Sequence, residues 1–173
     1  MTAPVLTRRR ALVAVASAPL LLVAAPVLAA DSSADAAVVT ELLSAELLLQ
    51  KSYEACSSGP RRVSRIARRF WAHEVQHTAA LAQALEALGA PGVPPPRDLL
   101  VLSRRSPRGR LRYLLALEET TLATMHAALG ELSDDKLLQT TATILGCQAQ
   151  HLVVLREALG RQPLPAALDA GRR

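Results

Sequence analysis

The chain has 173 residues, half of them hydrophobic, with one Trp, two Tyr and one Phe, and a net charge of +5. That is one domain's worth of sequence, rich in Ala, Leu and Val, and so poor in aromatic and β-branched runs that a sheet protein is excluded. Arg8, Arg9 and Arg10 carry part of the charge; without them 17 basic residues face 15 acidic ones, a balance with no mandate for nucleic acid.

The N-terminal segment reads Thr7-Arg8-Arg9-Arg10-Ala11-Leu12, and an uncharged, mostly apolar stretch then runs to Ala30, broken by Pro19 and Pro26. Val27-Leu28-Ala29 and Leu28-Ala29-Ala30 both place a small residue at a cut. A charged start, an apolar middle and a small-residue end define a secretory signal peptide over residues 1–30. The paired arginines resemble the twin-arginine signal, which moves folded proteins. The expected location is therefore periplasmic, extracellular or cell-envelope. A retained anchor is the competing reading; the prolines and the Ala-rich end favour cleavage and no stable span afterwards.

Four helices are expected in the rest. The first starts at Ser33, with Asp35 behind it, and runs to Cys56, where Ser57-Ser58-Gly59-Pro60 stops it. The second spans Arg62 to Leu88 and is ended by Gly89 and Pro91. Residues 90–97 are too rich in Pro for helix, so a long linker follows. Ser106-Pro107 is an N-cap with Pro at the first helical position, and the third helix runs from it to Leu129. Ser133-Asp134-Asp135 caps the fourth, which ends at Leu159-Gly160. The bundle is expected to occupy residues 31–165, with a flexible tail at 166–173.

The two halves echo each other. Glu46 lies 28 residues before Glu74, and Glu118 lies 30 before Gln148; Glu74 and Gln148 each have a His three residues on, His77 and His151. Two helical hairpins joined by one long connection make an all-α four-helix bundle with a crossover between helices 2 and 3. In a helix, positions three, four and seven apart share a face. Glu46 then sits among Val39, Leu42, Leu43, Leu49, Gln50 and Tyr53. Glu74 sits among Ala67, Phe70, Trp71, His77, Thr78 and Leu81. Glu118 and Gln148 sit in similar apolar stripes.

A buried carboxylate must be protonated, paired or bound to a metal. No Lys or Arg lies on these stripes near the four positions. A divalent cation that accepts carboxylate oxygen and imidazole nitrogen together is the natural partner.

At this point the chain resembles the ferritin-like family, particularly bacterial exported ferritin-like domain proteins. The resemblance rests on Glu46 with Tyr53, Ala72-His73-Glu74-Val75-Gln76-His77, Leu117-Glu118, and Gln148-Ala149-Gln150-His151 followed by Leu155-Arg156. It implies a di-metal carboxylate site with Glu46, Glu74, His77, Glu118, Gln148 and His151 as ligands. Iron is the implied metal, with manganese or zinc as alternatives, in one or two ions. The implied chemistry is iron oxidation, iron storage or peroxide handling. This chain departs from the pattern at position 148, where Gln replaces Glu. An amide oxygen binds weakly and does not bridge two ions, so three carboxylates remain and one ion is expected to be held better than the other. Glu119 beside Glu118 is an alternative ligand.

Three further readings compete. The bundle is inert if Glu46, Glu74 and Glu118 simply hydrogen-bond to His77, His151 and Gln148. His73-Glu74-Val75-Gln76-His77 matches the His-Glu-x-x-His of zinc proteases, but no strand is expected to hold a substrate. The basic stretches Arg61–Arg69 and Arg104–Arg112 read as solvated helix starts. Cys56 lies ten residues beyond Glu46, roughly 15 Å along the axis, so it is expected not to pair with Cys147, itself expected as a small core residue. His73 and His126 are expected at the surface or behind the ligands, and a monomer or homodimer is the expected assembly.

Overall fold

The computed structural model describes residues 24–164, apart from positions 98, 100, 101 and 103; for 24–31 it describes the backbone. The expected signal lies outside the described residues up to position 23. Four helices and no strands occur among the described residues: α1 (Ala24–Cys56), α2 (Arg61–Ala87), α3 (Pro107–Ala128) and α4 (Asp135–Ala158). None of these helices is long and apolar enough to cross a membrane.

Seven of the eight expected helix ends hold to within a residue or two. The exception is the start of α1, at Ala24 rather than Ser33. Ala-rich sequence on both sides of Ser32-Ser33 carries the helix through two serines that cost a few tenths of a kcal/mol each, and Pro26 falls in the first turn, where its missing N–H is harmless. Ser106 caps α3, its hydroxyl oxygen accepting from Gly109 N at 3.1 Å, with Pro107 at the first position. Asp134 caps α4 by accepting from Lys136 N and Leu137 N at 2.8 and 3.0 Å. Gly89 and Gly160 follow α2 and α4 with φ of 69° and 71°. Only glycine takes that left-handed turn without steric cost, and it lets Ala90 N and Arg161 N reach back to the carbonyls of Leu85 and Arg156.

End-to-end contacts give the topology. Asp35, three turns into α1, accepts from Ser133 N, Ser133 Oγ and Asp134 N at 2.9, 2.9 and 3.2 Å, so the N-terminal half of α1 and the start of α4 lie at the same end. At the other end Arg108, opening α3, donates to the carbonyl of Leu159 at 3.2 Å. The stretch between α2 and α3 therefore runs the length of the bundle, and Leu102 plugs it into the core at 2 % exposure. α1 packs on α2 and α3, and α4 on α3 and α2.

The interior is divided. One apolar cluster gathers Leu49, Tyr53, Phe70, Leu114, Leu152 and their neighbours. A second gathers Val39, Leu42, Leu81, Leu85, Met125 and Ile144. Between them lies a buried polar layer: Glu46, Glu74, His77, Glu118, Gln148 and His151.

Candidate metal centre

Each helix delivers its polar residue to this layer because the flanking apolar residues on the same stripe are buried above and below it. Leu42 and Leu49 bracket Glu46; Phe70 and Leu81 bracket Glu74; Leu115 and Met125 bracket Glu118; Ile144 and Leu152 bracket Gln148 and His151. All six expected residues are brought together. Glu46, Glu74, Glu118 and Gln148 are fully buried.

Two groups of donors form within the layer. Glu46, Glu74 and His77 make the first; Glu74, Glu118 and His151 make the second; ligand atoms in each lie within 4.8 Å of one another. Glu74 is common to both. His77 Nδ1 lies 3.2 Å from Glu46 Oε2 and 3.3 Å from Glu74 Oε2. His151 Nδ1 lies 3.0 Å from Glu118 Oε1 and 3.2 Å from Glu74 Oε1. Gln148 turns its amide nitrogen to Glu46 Oε1 at 2.7 Å and to Glu74 Oε2 at 3.4 Å, and its oxygen accepts from His151 Nδ1 at 3.1 Å. Tyr53 donates its hydroxyl to Glu118 Oε1 in a short hydrogen bond.

Crowding three carboxyls in a dry layer separates their proton affinities. Burial, then the hydrogen bond and charge of Glu74, push Glu46 well above the usual carboxylate range. Burial also opposes the charge of Glu74, but hydrogen bonds from Glu46, His151 and His77 outweigh it and hold Glu74 at about 2. Burial lifts Glu118 to about 7 against the pull of His151. Burial disfavours charge on His77 and His151, yet their hydrogen bonds to Cys147 and the acids raise them to about 12 and about 11. Tyr53 is raised well above its ordinary value by burial and then by Glu118. The layer thus keeps protons on Glu46 and on the two imidazoles around an ionised Glu74.

One oxygen shows that protons leave it incomplete. Glu118 Oε2 is buried and accepts no hydrogen bond among the described residues, and Glu74 Oε1, equally buried, has the 3.2 Å ion-pair contact with His151 Nδ1 in place of a well-formed hydrogen bond. They belong to the group shared with His151. Buried acceptors of this kind cost free energy unless filled. Carboxylate oxygens and imidazole Nδ1 atoms suit a hard or borderline divalent ion, so the donor set fits a metal.

Glu119 stands in none of the donor groups among the described residues. It pairs at 3.2 Å with Arg156, which is itself buried; the pairing of Glu119 with the Arg eight residues after Gln148 is a feature the stripe analysis missed. His126 is exposed. His73 stands behind His151, sharing a hydrogen bond with its Nε2 at 2.9 Å. His73 and His77 fall into different donor groups, so the protease motif does not assemble as a zinc pair among the described residues.

Two expectations are corrected. Trp71 is 38 % exposed rather than inward: it lies about 60° round the helix from Glu74, at the edge of the stripe. Cys147 is half-buried rather than a core residue; one step along the helix from Gln148 turns it about 100° towards the side where His73 stands. Hydrogen bonds from His151 and His77 lower its thiol to about 6. Cys56 is buried at one end of the bundle, its thiol raised by that burial, and both cysteines are free.

A family model described as the ferritin-like domain matches residues 34–161. Comparison with curated proteins and with solved structures gives no match.

Proposed function

The chain belongs to the ferritin-like domain family, and from that premise we propose that it is an exported metal-binding bundle whose buried layer holds iron. Manganese and zinc are the alternative occupants. The observation that carries this reading is the buried Glu118 Oε2, without a hydrogen bond among the described residues, beside a Glu74 Oε1 faced by His151, inside a ring of further donors.

Glu46, Glu74 and His77 would hold one ion; Glu74, Glu118 and His151 would hold a second, with Gln148 beside them. An acid at 148 would add a second carboxylate able to reach both positions. Gln148 leaves Glu74 as the only residue common to the two groups, so one position is firm and the other weak. A bound redox-active ion would pass electrons from ferrous iron, as substrate, to dioxygen or to peroxide.

The remaining work is done by the chain's own side chains. Tyr53 fixes the orientation of Glu118. Phe70 stacks on His151 with ring centroids 3.8 Å apart and fixes the plane of the imidazole. The two apolar clusters exclude water above and below the layer. His77 and His151 hold protons beside the acids until a cation takes their place.

The test is a metal count on protein loaded with ferrous iron without oxygen and then desalted. At least one ion per chain is expected, lost in Glu74→Gln. A wild-type chain that holds no more metal than Glu74→Gln overturns the reading. Export is tested separately: residues 1–30 fused to a reporter should carry it out of the cytoplasm, and changing Arg8 and Arg9 to Lys together should stop it.

A further inference from the structure

The sequence carries two pairs at i and i+4, His73 with His77 on α2 and Cys147 with His151 on α4, and these two helices are neighbours. Such pairs share one helix face. His77 turns into the carboxylate layer, which leaves three donors converging on the outer side of His151. Cys147 Sγ is 3.5 Å from His151 Nε2 and 3.7 Å from His73 Nδ1, and the two nitrogens are 2.9 Å apart. No carboxylate belongs to this group.

We propose that His73 Nδ1, Cys147 Sγ and His151 Nε2 form a separate site for a thiophilic cation, zinc(II) or copper(I). Thiolate with imidazole selects such ions over the hard ones that carboxylates favour. The spacing agrees. Bonds of about 2.3 Å to sulfur and about 2.05 Å to nitrogen at a tetrahedral ion set sulfur–nitrogen separations near ~3.6 Å and a nitrogen–nitrogen separation near ~3.3 Å. The two sulfur distances already match, and the two rings need only part by about 0.4 Å. His73 and Cys147 are half-buried, so the ion has a route in and an open fourth position.

The support behind the site is also in place. With Nε2 on the ion, Nδ1 of His151 keeps its hydrogen and donates to Glu118 Oε1 at 3.0 Å. That carboxylate–imidazole–metal relay fixes the tautomer and raises the basicity of the ligand. Stacking on Phe70 keeps the ring aimed.

A neutral imidazole has one lone pair. His151 therefore serves either this site through Nε2 or the carboxylate layer through Nδ1. The competition rests on the function proposed above; the thiolate site does not, because its atoms are its own. A thiophilic ion taken up at Cys147 withdraws His151 from the carboxylate position it shares with Glu74 and Glu118.

Cobalt(II) titrated into the full chain, with a phosphine reductant, tests the site. A thiolate-to-cobalt charge-transfer band in the near ultraviolet is expected, rising to one equivalent. Cys147→Ser should abolish it, and His73→Ala should weaken cobalt binding at least tenfold. Glu46→Gln, which removes a donor of the carboxylate layer alone, should leave the band unchanged. Zinc(II) or copper(I) should then displace cobalt, and whichever does so identifies the ion. The proposal is overturned by a wild-type chain with no band, by a band that survives Cys147→Ser, by a band lost with Glu46→Gln, or by displacement with neither ion. Failure of the iron count with survival of the band would sink the carboxylate reading and leave the thiolate site standing.

Discussion

Gln148 donates its amide hydrogen to Glu46 Oε1 at 2.7 Å, across the bundle from α4 to α1. An acid at 148 would set one carboxyl against another at that contact. Gln148→Glu should therefore destabilise the metal-free protein by about 1–3 kcal/mol, since a buried donor is lost. It should also raise the iron content of the loaded protein towards two ions per chain. Denaturant midpoints in chelator and elemental analysis read the two effects. Unchanged metal content would count against the assignment of position 148 to the site.

Glu118 and Glu119 are adjacent in sequence and separate in role. Glu118 faces His151, and Glu119 pairs with Arg156. Glu118→Gln should lower metal content with a small effect on folding. Glu119→Ala should leave metal content alone and destabilise the fold by about 3–5 kcal/mol, because a buried guanidinium loses its carboxylate partner. The opposite pattern, with metal lost on changing Glu119, would reverse the assignment.

Metal uptake should release protons. His77 and His151 hold theirs up to about 12 and about 11, well above the ordinary histidine range, and the raised Glu46 and Glu118 carry more. A raised affinity for protons means competition with the cation at every pH below those values, so apparent metal affinity should climb as pH rises across the neutral range. Calorimetry in two buffers of different ionisation enthalpy counts the protons; a buffer-independent heat would refute the linkage.

The clasp at Asp35 is purely structural. Its carboxylate, 2 % exposed, accepts two backbone N–H groups and one hydroxyl where α3 turns into α4. Asp35→Ala should lower stability by about 1–3 kcal/mol without changing metal stoichiometry. Thermal unfolding of the metal-free protein measures it.

The ligand layer was legible because helical periodicity sets each acid against apolar neighbours, and because Glu74 with His77 and Gln148 with His151 repeat one spacing in two halves. The topology was legible because residues 90–97 exclude helix and force a long connection. Other features were not. Asp35 reaches its partners across nearly a hundred residues, and no local pattern encodes that reach. The Glu119–Arg156 pair joins two helices whose relative rotation only packing decides. Cys147 looked like a core residue because its spacing was read from its own helix, whereas its neighbour His73 comes from α2.

The division of the core has a mechanical consequence. Two greasy halves, both touched by Leu145, are joined across a charged waist, and the waist is weakest where Glu118 leaves an oxygen without a hydrogen bond. An ion bound there and nowhere in the unfolded chain rivets the halves together, by about 2.7 kcal/mol at a free concentration one hundred times its dissociation constant. Heat tolerance then becomes a gauge of loading, and the melting curve of this small bundle should slide with the metal around it.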